Sequence, residues 1–197
     1  MSAAANLSAR EVADLAGVPK RLVESAIEDG LLRPRLVPRR KGRPDRLLPL
    51  HAVAFAGVLA KLDLPLRLAH KKRLAAALAR VPLGELRSAQ VELLPAVALD
   101  VGRLVGDAVE RAERYAKGRD RYIEIKDAIK GGTPVIRGTR MTVYSVLGRI
   151  EHGETLGDLV ADNPDIPPEA FEAAHVYART HPLVGRPGGR PWERKAT

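Results

Sequence analysis

The chain has 197 residues, no cysteine, and 33 Lys plus Arg against 24 Asp plus Glu, a net charge of +9. The missing cysteines exclude disulfides, thiolate metal sites and cysteine nucleophiles, and an aromatic content of 4% makes an aliphatic core the expectation. No apolar run approaches the ~20 residues of a membrane span, and the N-terminus lacks the basic start and apolar stretch of a signal peptide. A cytoplasmic protein is expected.

The charge is unevenly divided. Residues 1–80 carry 16 basic and 7 acidic side chains, a net +9. Residues 81–141 carry +2, residues 142–181 carry −5, and the last sixteen carry +3. Clustered cations of this kind suit a polyanion partner, because phosphate binding depends on local positive charge. A merely solvated basic face is the plainer alternative. Together with the element pattern, the charges divide the chain into a DNA-binding module over 1–80, a connector over 81–119, an association domain over 120–181 and a basic tail over 182–197.

Ser8 and Glu11 have the spacing of a capping box, and Leu7 and Val12 occupy the two positions of a hydrophobic staple. They predict a first helix that stops at Gly17. Val18-Pro19 predicts a turn, and Leu22, Val23, Ala26 and Ile27 recur at helical spacing until Gly30. Two short helices across such a turn are the helix-turn-helix plan. Lys20, Arg21 and Ser25 fall on outward positions near the start of the second helix, the end that reaches base edges in the major groove.

The stretch from Arg33 to Arg46 follows, with seven basic residues, one acid, and Gly42 at a plausible hairpin tip. It fits a wing whose Arg39, Arg40, Lys41 and Arg43 lie along a phosphate backbone or enter the minor groove. The segment LSAREVADLAGVPKRLVESAIEDGLLRPR, with the later RLLPLHAVAFAGVLAKLDLPLRLAHKKRL, resembles the winged-helix domain of MerR-type regulators. Ser25-Ala26-Ile27 stands where that family carries an aromatic pair. Arg40-Lys41-Gly42-Arg43-Pro44 also resembles an AT-hook, and both likenesses put Arg43 near DNA.

In the connector, Gln90–Leu94 reads as a possible strand and Asp100–Tyr115 as a helix. Val101, Leu104, Val105, Ala108, Val109 and Ala112 give that helix one apolar face, to close over the first module or to pair with a second copy. Further on, Gly131-Gly132 and Gly138 predict turns around a short extended Pro134-Val135-Ile136. Gly138-Thr139-Arg140 lacks the Lys-Ser/Thr that a phosphate-cradling loop needs after its last glycine. Thr142 is expected to cap a helix ending at Gly153, and Thr155 with Asp158 to begin the next. Asn163-Pro164 should break that one, and Pro167-Pro168-Glu169 should open the last.

The run from Gly131 to Pro182 resembles the small helical domain catalogued as domain-of-unknown-function family 433. The likeness rests on its Gly-x-Pro-x-Ile-x-Gly-Thr-Arg core, its Gly-Glu-x-x-x-x-Leu turn and its Tyr-Ala-Arg-x-His-Pro ending. It implies VapB-type antitoxins, and with them a PIN-type ribonuclease toxin as partner and operator DNA as target. Charge argues against a second DNA site here, since an acidic module is repelled by the phosphate backbone. Its surface suits self-association or a basic protein instead.

The tail is rich in proline and glycine and holds the chain's one tryptophan. It is expected to be flexible in the free protein and to order on a partner. There Trp192 would supply a buried anchor, and Arg186, Arg190 and Arg194, spaced four apart, would face the toxin's metal-binding carboxylates. His51, His70, His152, His175 and His181 show no metal-ligand spacing, and no nucleophile elbow is present. No catalytic, cofactor or metal site is expected.

The sequence thus reads as mainly α: an N-terminal winged helix-turn-helix, a small C-terminal helical domain of helix-turn-helix outline, and a basic tail. The functional expectation is the antitoxin of a type II toxin–antitoxin pair that inhibits its toxin and represses its own operon. It would act as a homodimer or a higher hetero-oligomer with the toxin, away from any membrane. A one-component MerR-like regulator answering to a small ligand between its halves is the alternative. The seven aromatics weigh against it, because they leave little to line an aromatic pocket.

Overall fold

The computed structural model describes residues 6–38, 44–62, 64–126 and 130–183. The sites expected at Arg39, Arg40, Lys41 and Arg43, and at Arg186, Arg190, Trp192 and Arg194, lie outside the described residues.

Strand β1 (Asn6–Leu7) leads into α1 (Ala9–Ala16). The capping box forms: Glu11 N donates to Ser8 Oγ at 3.2 Å, and Ser8 N donates to Glu11 Oε2 at 2.6 Å. Leu7 and Val12 are both fully buried beside it. Gly17, at φ +67°, ends α1 in the left-handed conformation that lets the chain turn toward Pro19. Helix α2 (Lys20–Glu28) buries Val23 and Ala26 and turns its charged positions outward.

β2 (Arg35–Val37) and β3 (Asp45–Pro49) form an antiparallel hairpin with Leu36 opposite Arg46. β1 pairs with the other side of β3, Leu7 opposite Leu48, which gives the order β1-β3-β2. Helix α3 (His51–Lys61) is buried continuously from Ala52 to Val58, as a helix apolar on nearly every side must be. His51 opens it and donates from Nε2 to the Val81 carbonyl at 2.8 Å. Helix α4 (Leu68–Leu78) then packs Leu74 and Leu78 inward.

After a 3-10 segment at Leu83–Ser88, β4 (Gln90–Leu94) pairs with β5 (Val97–Asp100) as a hairpin. Asp100 caps the next helix, α5 (Val101–Tyr122), by accepting from Arg103 N at 2.9 Å. Of the two uses open to its apolar face, closure over the first module is the one realised. Val101, Val105, Ala108, Val109 and Ala112 are buried in the same core as α3, so they are not available to a second copy. The helix also runs seven residues past the Tyr115 end read from the sequence.

β6 (Ile123–Glu124) pairs with β7 (Val135–Ile136). Thr142 caps α6 (Val143–Glu151), and a Thr155–Asp158 capping box starts α7 (Leu156–Asp162). Pro168 begins α8 (Pro168–Thr180). Among the described residues the molecule is mainly helical with two apolar cores. The larger gathers residues from Leu7 to Tyr115; the smaller runs from Ile123 to Ala178 around the fully buried Phe171 and Leu159. Side chains of that size each contribute roughly 1.5–3 kcal/mol when withdrawn from water. Among the described residues no helix is long and apolar enough to cross a membrane.

Candidate nucleic-acid interface and the cleft between the cores

The start of α2 is electropositive. Its N-cap is Pro19, which makes no side-chain cap bond, and its first turn holds no acid, so the helix dipole is uncompensated there. Lys20, Arg21 and Ser25 are all exposed, as the outward positions require. Their situations differ. Lys20 Nζ is held by Glu24 Oε1 at 2.5 Å, whereas Arg21 has no ion-pair partner among the described residues. Ser25 opens onto a shallow groove shared with Leu64, Pro65, Leu66 and Lys71.

The β2–β3 hairpin exposes Arg35 on one strand and Arg46 on the other. Leu36, 60% exposed, stands opposite Arg46 and so on the same face. Lys71 was not singled out from the sequence, although the Lys71-Lys72-Arg73 run on α4 was a visible signal of local charge. Arg35 and Arg46 were visible within the basic stretch, but only strand pairing, with Arg35 opposite Leu47 and Arg46 opposite Leu36, tells that they lie on opposite faces.

A buried charged group lies elsewhere. Glu11, 2% exposed, accepts from the Tyr115 hydroxyl at 2.5 Å and from Arg119 Nη1 at 3.0 Å, while Arg119 also donates to the Asn6 carbonyl at 2.9 Å. Burial, then the charge of Glu11, pushes the Tyr115 phenol far up, so it stays a donor. Burial works against the Arg119 charge, but Glu11, Tyr115 and Asp120 outweigh it and hold the guanidinium protonated. This cluster is chemically saturated, so it locks α1 against α5.

Next to it, a cleft of about 600 Å³ opens between α1, α5 and α8. Arg179 of α8 pairs with Asp14 of α1 across it, and Arg111 Nη2 reaches the Leu15 carbonyl at 3.3 Å. The Tyr115 and Tyr122 rings are its only Phe, Tyr or Trp linings among the described residues. Half-buried His175 also lines it; burial, then Arg179, lowers its pKa. No group of three or more His, Asp or Glu among the described residues could hold a metal ion.

The fold therefore defines a mainly helical protein whose N-terminal part joins two short helices to a three-stranded sheet, with a compact second core behind a shared helix. Residues 123–178, the span of that second core, match the family model described as "Protein of unknown function (DUF433)". Over 194 residues the chain is 29% identical to a protein of Sinorhizobium fredii (strain NBRC 101917 / NGR234) described as "Uncharacterized protein y4eO". That alignment covers 91% of this chain and 83% of the relative. No solved structure matches the chain.

Proposed function

We propose that this protein is the DNA-binding antitoxin of a toxin–antitoxin pair. Its winged helix-turn-helix head would repress its own operon in the cytoplasm, and its tail would inhibit a PIN-type ribonuclease. The observation that carries the DNA reading is the exposed, uncapped start of α2, followed along the chain by a hairpin with exposed Arg35 and Arg46. Arg21 is the residue for base edges, since no ion pair among the described residues competes for it. Lys20 sits closer to the backbone role, with Glu24 as its competitor. The hairpin cations Arg39, Arg40, Lys41 and Arg43 supply phosphate contacts.

The match of residues 123–178 supports the antitoxin half of the proposal only through the resemblance stated above. The acidic second module serves association, and the tail serves inhibition. Trp192 seats in an apolar pocket of the toxin, while Arg186, Arg190 and Arg194 pair with carboxylates that otherwise hold its metal. Co-expression with the nuclease encoded beside it is the test. The full chain should relieve growth arrest, and a chain truncated after Pro182 should fold and yet fail to relieve it. Full relief by the truncated chain would overturn the role given to the tail. A second reading, a regulator answering to a small ligand, is favoured by one observation, the cleft between the two cores.

A further inference from the structure

The walls of that cleft are chemically unlike. One is α5, which presents Arg111, Arg114, Lys117 and Arg121 at intervals of three and four residues, a single stripe along the helix. Like charges at this spacing oppose the helix that carries them. The two ends of the stripe are relieved within the protein. Arg111 is tied to the Leu15 carbonyl, and the Arg121 guanidinium lies over the Tyr122 ring, 5.2 Å from its centroid.

The middle pair makes no such bond. Arg114 and Lys117 have no hydrogen bond or ion pair among the described residues. Glu169 and Glu172 of α8 line the same cleft and still form no ion pair with them. Between the walls the lining is small and apolar: Leu15, Gly118, Ala173 and Val176. Gly118 sets this floor, because a Cβ there would stand 3.1 Å from the Ala173 Cβ. A volume of about 600 Å³ is within the range of small-molecule sites, roughly 300–1,000 Å³.

We propose that this cleft binds a small phosphate monoester, its phosphate held by Arg114 and Lys117 and its body resting on the apolar floor. A guanidinium beside an ammonium suits a dianion, giving charge-assisted bonds from two directions. Glu169 and Glu172 accept from hydroxyl or amino groups at the ligand's other end. The same two carboxylates repel a continuous polyanion, so the site selects a small molecule over nucleic acid. This deepens the second reading by giving the ligand a place and a class. Binding is measured without DNA, so failure here and failure of DNA-linked regulation are distinguishable.

The experiment is titration calorimetry on the full chain at constant ionic strength, with ribose 5-phosphate and adenosine 5′-monophosphate as probes and citrate as a charge control. A saturable heat with at least one phosphate ester, and none with citrate, is expected. Arg114→Gln with Lys117→Gln should weaken it tenfold or more, while Arg114→Lys alone retains most of it. Arg10→Gln with Lys61→Gln removes the same charge outside the cleft and should leave the affinity unchanged. Thermal melts confirm that each variant is folded. Absence of saturable binding with both esters, or an equal loss in the Arg10/Lys61 variant, would overturn the proposal.

Discussion

Glu11 belongs to two structures at once. Within α1 it completes the capping box, and across the fold it receives Tyr115 and Arg119. Removing it leaves a buried phenol without its acceptor and a mostly buried guanidinium with only Asp120 and the Asn6 carbonyl, so Glu11→Ala should cost about 3 kcal/mol. Arg179→Ala, which breaks only an exposed pair with Asp14, should cost less than about 1 kcal/mol. Urea denaturation of the two variants checks the contrast. Only the first role of Glu11 was legible in the sequence, because a cap is written within four residues. Its partners lie 104 and 108 residues away, and no local pattern announces them. His175 offers a pH test. Its folded pKa lies below the ordinary 6.5 through burial and then Arg179, against Asp14 and Glu151. The unfolded chain therefore binds the proton more readily. The contribution is complete above the unfolded value and is lost as pH falls from there toward the folded one. His175→Gln should flatten the fall in melting temperature between neutral pH and about 5. An unchanged profile would count against this coupling.

At the level of elements, α5 holds the molecule together, and close approaches fix its position. A Cβ on Gly57 of α3 would stand 2.9 Å from Val105 Cγ1, and one on Gly102 would collide with the Arg87 carbonyl. Gly102→Ala should therefore destabilise by about 1–3 kcal/mol through overpacking, despite alanine's better helix propensity. Ala96 gives the opposite case. It turns the β4–β5 hairpin at φ +66°, a conformation that costs a non-glycine residue about 1–2 kcal/mol. Ala96→Gly should be neutral or stabilising by up to about 1 kcal/mol, read from the same denaturation curves. These residues also explain where the sequence was misleading. Most helix limits were legible because Ser8, Thr142, Thr155 and Pro168 are strong start signals. Strand β5 was missed because its turn residue is alanine rather than glycine or asparagine. The far end of α5 lay past the Tyr115 limit of the apolar face, on a stretch that includes Gly118, a poor helix former. In the fold Gly118 is buried where α8 packs against it, and burial outweighs its propensity.

For the whole molecule, the division into basic and acidic parts was legible from charge alone, while the junction between them was not. Helix α5 carries Tyr115 into the larger core and packs along α8 of the smaller one, so both lean on one element. The cleft exists only through that arrangement, which is why no motif in the chain pointed to it. Basic charge concentrated in the first 80 residues, with an exposed, uncapped helix start, is the physical basis of the DNA reading. Its most direct test is the affinity of the full chain for DNA upstream of its own reading frame, measured across a salt series. Neutralising Arg39, Arg40, Lys41 and Arg43 together should weaken binding to all sequences. The salt dependence should become shallower by roughly one unit of slope for each phosphate that is no longer neutralised. Arg21→Gln should instead change which sequence is preferred. Unaltered affinity and slope in the fourfold variant, with unaltered preference in Arg21→Gln, would contradict the DNA reading.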